Sequence, residues 1–202
     1  MRMTELPNND YEKLAYNQGF TAVCGVDEVG RGCLAGPVMA AAVVLPKDAV
    51  IRGLNDSKKL SPTKREKLFC AVNDLAVSIG IGIVSERIID EINILNATYR
   101  AMQEAISGLS PTADYALVDF VRIPNIEIAQ TGIVKGDATS VSIAAASIIA
   151  KVTRDRLMTE YDAVYPQYGF AKNKGYGTKE HIAAINEYGL CPIHRRSFRV
   201  RA

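Results

Sequence analysis

Apolar and polar positions fall along the chain in blocks that predict an α/β protein. Residues 21–28 run apolar through Val23 and Cys24 into two adjacent carboxylates, Asp27 and Glu28, as a buried strand does when it ends at a site. A second strand is expected over residues 37–45, and the short turn between the two favours an antiparallel hairpin. Ser61 and Pro62 supply an N-cap and a first-turn proline for a helix carrying Leu68, Val72 and Leu75 at helical spacing. Residues 77–84 alternate with period two, the mark of a half-buried strand. Ser85 caps a short helix, residues 92–106 form a longer one, residues 116–119 form a buried strand ending in Asp119, and residues 126–129 form another strand. Residues 141–160 are strongly helical, with a small-residue patch at 144–147 that permits close packing. A Pro/Tyr/Gly-rich loop over 165–177 precedes a helix from Thr178 to Tyr188, stopped by Gly189, and a basic tail. This order of elements predicts a mixed sheet flanked by helices.

Composition narrows the class. A chain of 202 residues that is 48% hydrophobic can bury one ordinary core, read here as a polar leader over residues 1–18 and a single domain over 19–202. No window reaches the roughly 18 uninterrupted apolar residues of a membrane helix, and the N-terminus lacks the apolar core of a signal peptide, so a cytoplasmic protein that does not enter a membrane is expected. Nothing in the pattern demands a dimer, and a monomer is expected. The four cysteines have no CxxC spacing and there are only two histidines, which leaves little material for a zinc centre or a Ser-His-Asp triad. Carboxylates are the agents that remain. A net charge of +2 does not by itself announce a nucleic-acid binder. The cations are clustered, however, at Lys58–Lys67, Arg154 and Arg156, Lys172–Lys179 and Arg195–Arg201, and four such clusters suit a folded basic track.

The adjacent acids Asp27 and Glu28, followed by the backbone-exposing turn Gly30-Arg31-Gly32, look like a place where metal ions meet a phosphodiester. Neighbouring side chains of a strand point to opposite faces, so both acids reach one site only if the strand ends or kinks there, or if Glu28 acts through its backbone carbonyl. Asp119 ends its own strand and is the natural partner of the pair. Asp137 stands before the long helix as either a cap or a further metal ligand, and spacing does not separate the two. Asp155 needs no role beyond an ion pair with Lys151 four residues earlier. A carboxylate set without histidine suits Mg²⁺ or Mn²⁺, and two such ions would clamp a phosphoryl transfer. The glycine turn is no dinucleotide fingerprint, because Pro37 and a β-rich run follow it where a helix is required. Tyr176, between Gly175 and Gly177, either stacks on a sugar or base or packs under its own loop.

Six segments together resemble the ribonuclease HII family: residues 25–32, 54–60 around Asp56-Ser57-Lys58-Lys59, Lys135-Gly136-Asp137, 145–155, Lys174-Gly175-Tyr176-Gly177-Thr178 and His194-Arg195-Arg196-Ser197-Phe198. The resemblance runs in order from about residue 20 onward. It implies a ribonuclease H-like fold: a central mixed five-stranded sheet with flanking helices and a small C-terminal helical part. It implies a metal-dependent endonuclease, using Mg²⁺ or Mn²⁺ in a two-metal mechanism. Such an enzyme cuts the RNA strand of RNA–DNA hybrids and incises 5′ of a single ribonucleotide in duplex DNA, leaving 3′-hydroxyl and 5′-phosphate ends. The family's acids fall on Asp27, Glu28, Asp119 and Asp137, its 2′-hydroxyl-sensing element on Gly30, Arg31 and Gly32, its junction-reading tyrosine on Tyr176, and Lys58 in the stretch approaching the scissile region. Two departures stand out. Phe120 follows Asp119 where the family has a small residue, and, with Ala202 soon after Phe198, little or no tail to dock a replication clamp is expected. A hybrid-binding protein without activity, or another nuclease on the same fold, would lack reason for the full acid set or for the glycine turn and tyrosine.

Overall fold

The computed structural model describes residues 6–55, 57 and 60–200. Asp10–Asn17 form helix α1, and Val23–Val29 and Val38–Val44 form strands β1 and β2. They pair antiparallel as the hairpin the sequence predicts, with Val26 opposite Ala42 and Glu28 opposite Ala40. Helix α2 covers Pro62–Leu75, with the Ser61 side chain accepting from the Lys64 N–H at its start. Strand β3 (Ser78–Val84) pairs antiparallel with β2. Helix α3 (Glu86–Ser107) is two helices across a break at Asn93, whose φ of 66° interrupts the first; its Oδ1 then accepts the Leu95 and Asn96 N–H groups and starts the second. The sequence predicts this division into a short and a longer helix.

Strand β4 (Tyr115–Asp119) lies parallel to β1, and β5 (Ala129–Ile133) lies parallel to β4. The five-stranded order is β3-β2-β1-β4-β5, a mixed sheet. Strand β5 begins where the sequence pattern places the end of a strand. Ile126 and Ile128 are partly buried against the core without joining the sheet, since Pro124 and the left-handed Asn125 precede them and Tyr115 finds its partner only at Ala129. Short helix α4 (Gly136–Thr139) leads into the long α5 (Val141–Val164). The stretch expected to be a plain loop holds a 3₁₀ turn at Pro166–Tyr168 and helix α6 (Phe170–Asn173), and α7 (Lys179–Tyr188) follows with Thr178 as its N-cap.

One core lies between the sheet and α3, a second between the other sheet face and α2 and α5. Strand β3 is half-buried as expected, but its small residues face inward. A Cβ at Gly80 or Gly82 would stand 1.9 Å from the carbonyl oxygens of Ala105 or Ala101, so α3 lies directly on the strand backbone, and Ile81 and Ile83 face outward. The leader is more than a polar tail. Within α1, Ala15 is buried, and the buried Glu12 carboxylate accepts from the hydroxyls of Ser140 and Ser142 and from the Ser142 N–H, tying α1 to the start of α5.

Candidate active site

The acids gather at the carboxyl ends of β1 and β4. Because these strands are parallel and Val26 pairs with Val118, Asp27 and Asp119 are the next residues along and share the face covered by α5. The Asp119 Oδ1 accepts the Gly136 N–H at 2.7 Å, which draws the turn carrying Asp137 over the end of β4. Asp137 is buried inside α4, and the N-cap of α5 is Ser140, whose hydroxyl accepts the Ile143 N–H. Capping of the long helix is therefore not what Asp137 does.

Asp27 and Glu28 line one cleft although β1 continues unbroken through Val29. The strand neither ends nor kinks between them. The Asp27 carboxylate folds back to accept the Glu28 N–H at 2.8 Å, and Glu28 is held at 3.3 Å by Arg31. Burial holds the Asp27 carboxyl well above its ordinary range, and the charges of Glu28, Asp119 and Asp137 add to the effect against a hydrogen bond from Ser147. Four carboxylates thus act on one another. Among the described residues, no three such groups stand in a metal-holding arrangement. The donor set is oxygen alone and fits a hard divalent cation such as Mg²⁺ or Mn²⁺.

The cleft holds about 560 Å³ and is walled by the Gly30-Arg31-Gly32 turn, Ser57, Arg65, Ser147, Lys151 and Tyr176. Its turn is shaped from behind by two buried arginines. Arg195 donates to the carbonyl oxygens of Gly36, Arg31 and Gly30 at 3.0, 2.9 and 2.7 Å. Arg154 donates to those of Pro37, Lys174 and Ala35 at 2.9, 2.8 and 3.0 Å. In a trans peptide the carbonyl and the following N–H point opposite ways. With the Gly30 and Arg31 carbonyls drawn inward, the N–H groups of Arg31 and Gly32 turn outward toward the cleft these residues line. Gly30 takes φ +90°, and a Cβ there would lie 2.3 Å from the Arg154 Nε.

A family model described as Ribonuclease HII matches residues 24–201. The chain belongs to the ribonuclease HII family. It is a ribonuclease H, an endonuclease of the hydrolase class that cleaves the RNA of RNA–DNA hybrids. It is 63% identical over 188 residues to the Ribonuclease HII of Ruminiclostridium cellulolyticum, covering 93% of this chain and 74% of that protein. Among solved structures, the ribonuclease H2 of Pyrococcus horikoshii OT3 is 30% identical with a TM-score of 0.74, over 89% of this chain and 95% of that one. The RNase HII solved in a complex with PCNA from Archaeoglobus fulgidus is 25% identical with a TM-score of 0.76, over 90% and 97%. The expected fold, family and enzyme class are borne out.

In this ribonuclease H, Tyr176 stands at the cleft mouth, 42% exposed, with the Lys151 Nζ 5.8 Å above its ring. It does not pack away under its loop. The loop is locked by Arg154 through Lys174, and by a histidine pair through the Tyr176 carbonyl. That carbonyl can only accept, so His181 carries its proton on Nδ1 (2.9 Å) and accepts at Nε2 from the His194 Nε2–H (3.0 Å). His194 Nδ1 in turn accepts the Cys191 N–H at 3.0 Å. Both rings are neutral in this chain of bonds, and burial beside His181 pushes the His194 pKa down to about 4.

Lys58 lies outside the described residues. Asp155 pairs with Lys151 at 2.8 Å, as its spacing implies. Two of the expected surface cations are not on the surface: Arg154 and Arg195 are 0% and 2% exposed, because backbone carbonyls replace water around them. Arg154 could have been found. It lies four residues beyond Ala150 and seven beyond Ser147, on the buried stripe of α5.

Proposed function

We propose that the enzyme hydrolyses the RNA strand of RNA–DNA hybrids and incises 5′ of single ribonucleotides in duplex DNA, leaving 3′-hydroxyl and 5′-phosphate ends. The observation carrying this reading is the pairing, in one cleft, of mutually repelling carboxylates with a backbone turn whose N–H groups face outward. Asp27, Glu28, Asp119 and Asp137 would hold Mg²⁺ or Mn²⁺. When bound, two such ions supply an activated water and stabilise the departing oxygen.

Everything else is positioning by this chain. The 2′-hydroxyl is the one local group that separates RNA from DNA. The N–H groups of Arg31 and Gly32 would donate to it, while Gly32 leaves the approach open, a Cβ there meeting nothing within 4 Å. Lys151 and Arg65 line the same cleft and would take backbone phosphates, with Lys58 contributing nearby. The Tyr176 ring would lie against the neighbouring deoxyribose, where an added hydroxyl would not fit. The enzyme acts as a monomer in the cytoplasm, on nucleic acid and away from membranes. Among the described residues no helix is long and apolar enough to cross one.

Duplex DNA carrying one ribonucleotide, incubated with Mg²⁺, Mn²⁺ or EDTA, tests the proposal. A metal-dependent nick 5′ of the ribonucleotide, lost in Asp27→Ala, is expected. Cleavage that ignores the ribonucleotide would overturn it. Tyr176→Ala should impair junction substrates more than long hybrids, and equal losses would remove its assigned role.

A further inference from the structure

Phe120 occupies a place where an aromatic residue has no structural reason to be. Its φ is +60°, in the left-handed region where a side chain is strained. Its N–H donates to the Ile133 carbonyl at 2.8 Å, and the Val121 N–H donates to the Asp119 carbonyl at 2.7 Å, so the turn is held on both sides. The strain is not offset by burial. Phe120 is 67% exposed, while the other four phenylalanines are buried or partly so. Its ring has no aromatic or cation partner among the described residues. Beside it, Val134 is equally exposed at 67%, and Lys135 is exposed and left-handed.

The location gives these features a use. Phe120 directly follows Asp119, and Lys135 stands two residues before Asp137, so ring, valine and cation border the acids at the β4–β5 end of the sheet. Tyr176, in the segment between α6 and α7, borders them on the side of the β1–β2 loop, with Gly175 packed on the Ala35 carbonyl. An exposed aromatic beside a cation suits a base or sugar of nucleic acid with its phosphate, and is continuous with the acid cluster. Resting on the function proposed above, we infer that Phe120 is a second stacking contact for the hybrid, on the side of the acids away from Tyr176, with Lys135 taking an adjacent phosphate.

The test is fluorescence anisotropy with a labelled RNA–DNA hybrid in metal-free buffer, beside thermal unfolding of the same proteins. Phe120→Gly is expected to bind the hybrid about fivefold more weakly or worse, and to unfold at the same or a higher temperature because glycine accepts the left-handed backbone. Phe120→Trp should bind at least as tightly as the natural protein. Wild-type affinity in Phe120→Gly, or weakened binding only alongside a lowered unfolding temperature, would overturn the inference. Its failure is distinct from that of the parent reading. A protein that nicks at the ribonucleotide while Phe120→Gly binds normally loses only this contact, whereas one that never nicks loses the proposed reaction and leaves the binding comparison readable.

Discussion

The molecule buries charge of both signs within one small region, by opposite means. On one side of the Gly30–Pro37 loop, Arg154 and Arg195 are enclosed with no carboxylate among the described residues bonded to them, and each of their six nitrogens donates to a backbone carbonyl. On the other, burial and then its neighbouring carboxylates hold the Asp27 carboxyl above its ordinary range. The cations are finished structure, because every contact they need lies within the chain. The acids repel one another where they meet, which is the cost a site for a cation carries under the function proposed above. The fold therefore places its rigidity behind the glycine turn and its electrostatic strain in front of it.

The sharpest way to separate the two sides is to neutralise one charge on each. Asp27→Asn should lower cleavage by about 10³-fold or more while leaving the unfolding temperature unchanged or higher, because a repulsion is removed. A clear loss of stability would show that the acids hold the fold together after all. Arg195→Met should do the reverse, costing about 3–5 kcal/mol in urea unfolding as three buried carbonyls lose their donors, with Arg195→Lys recovering part. A loss below about 1 kcal/mol would mean that water replaces the guanidinium and that the turn needs no support. Gly30→Ala should cost about 1–3 kcal/mol through its φ of +90° and the crowding against Arg154, read in the same unfolding experiment.

The smallest effect comes from the histidine pair. The folded state keeps His194 neutral down to about pH 4, whereas in the unfolded chain the residue protonates near pH 6.5. The unfolded state then binds more protons between those values, so stability is full above about pH 6.5 and declines as pH falls toward 4. After solvent screening the decline should be about 1–2 kcal/mol. It should be shallower in His194→Gln, as unfolding midpoints measured across that range would record. Identical slopes in the two proteins would remove His194 from the acid response.

Much of this arrangement is legible in the residues themselves. Apolar runs leading into Asp27-Glu28 and Asp119 mark strands whose far ends carry the acids, because no core tolerates such acids further in. The Ser61, Ser85 and Thr178 caps and the proline at 62 place helix starts locally, since capping involves only neighbours in sequence. Errors arise where a partner decides. Residues 126–129 carry the better strand pattern, yet 129–133 form β5, because pairing with β4 outweighs a weak local preference. The end or kink of β1 offered as one way for both acids to reach one site is absent, because pairing to Met39 keeps Val29 in the sheet.

Read alone, the residues yield most of the elements, the adjacent acids Asp27 and Glu28 and the glycine turn beside them, whereas Asp137 joins that group only through the family resemblance. Packing of distant segments alone brings Asp27 and Asp119 side by side, makes Ser140 rather than Asp137 the cap of α5, and sets two arginines behind the turn. The physical reason is the same in each case. A charge in a sequence carries no sign of whether water, a carboxylate or a folded backbone will surround it, and that choice is made only when distant segments pack.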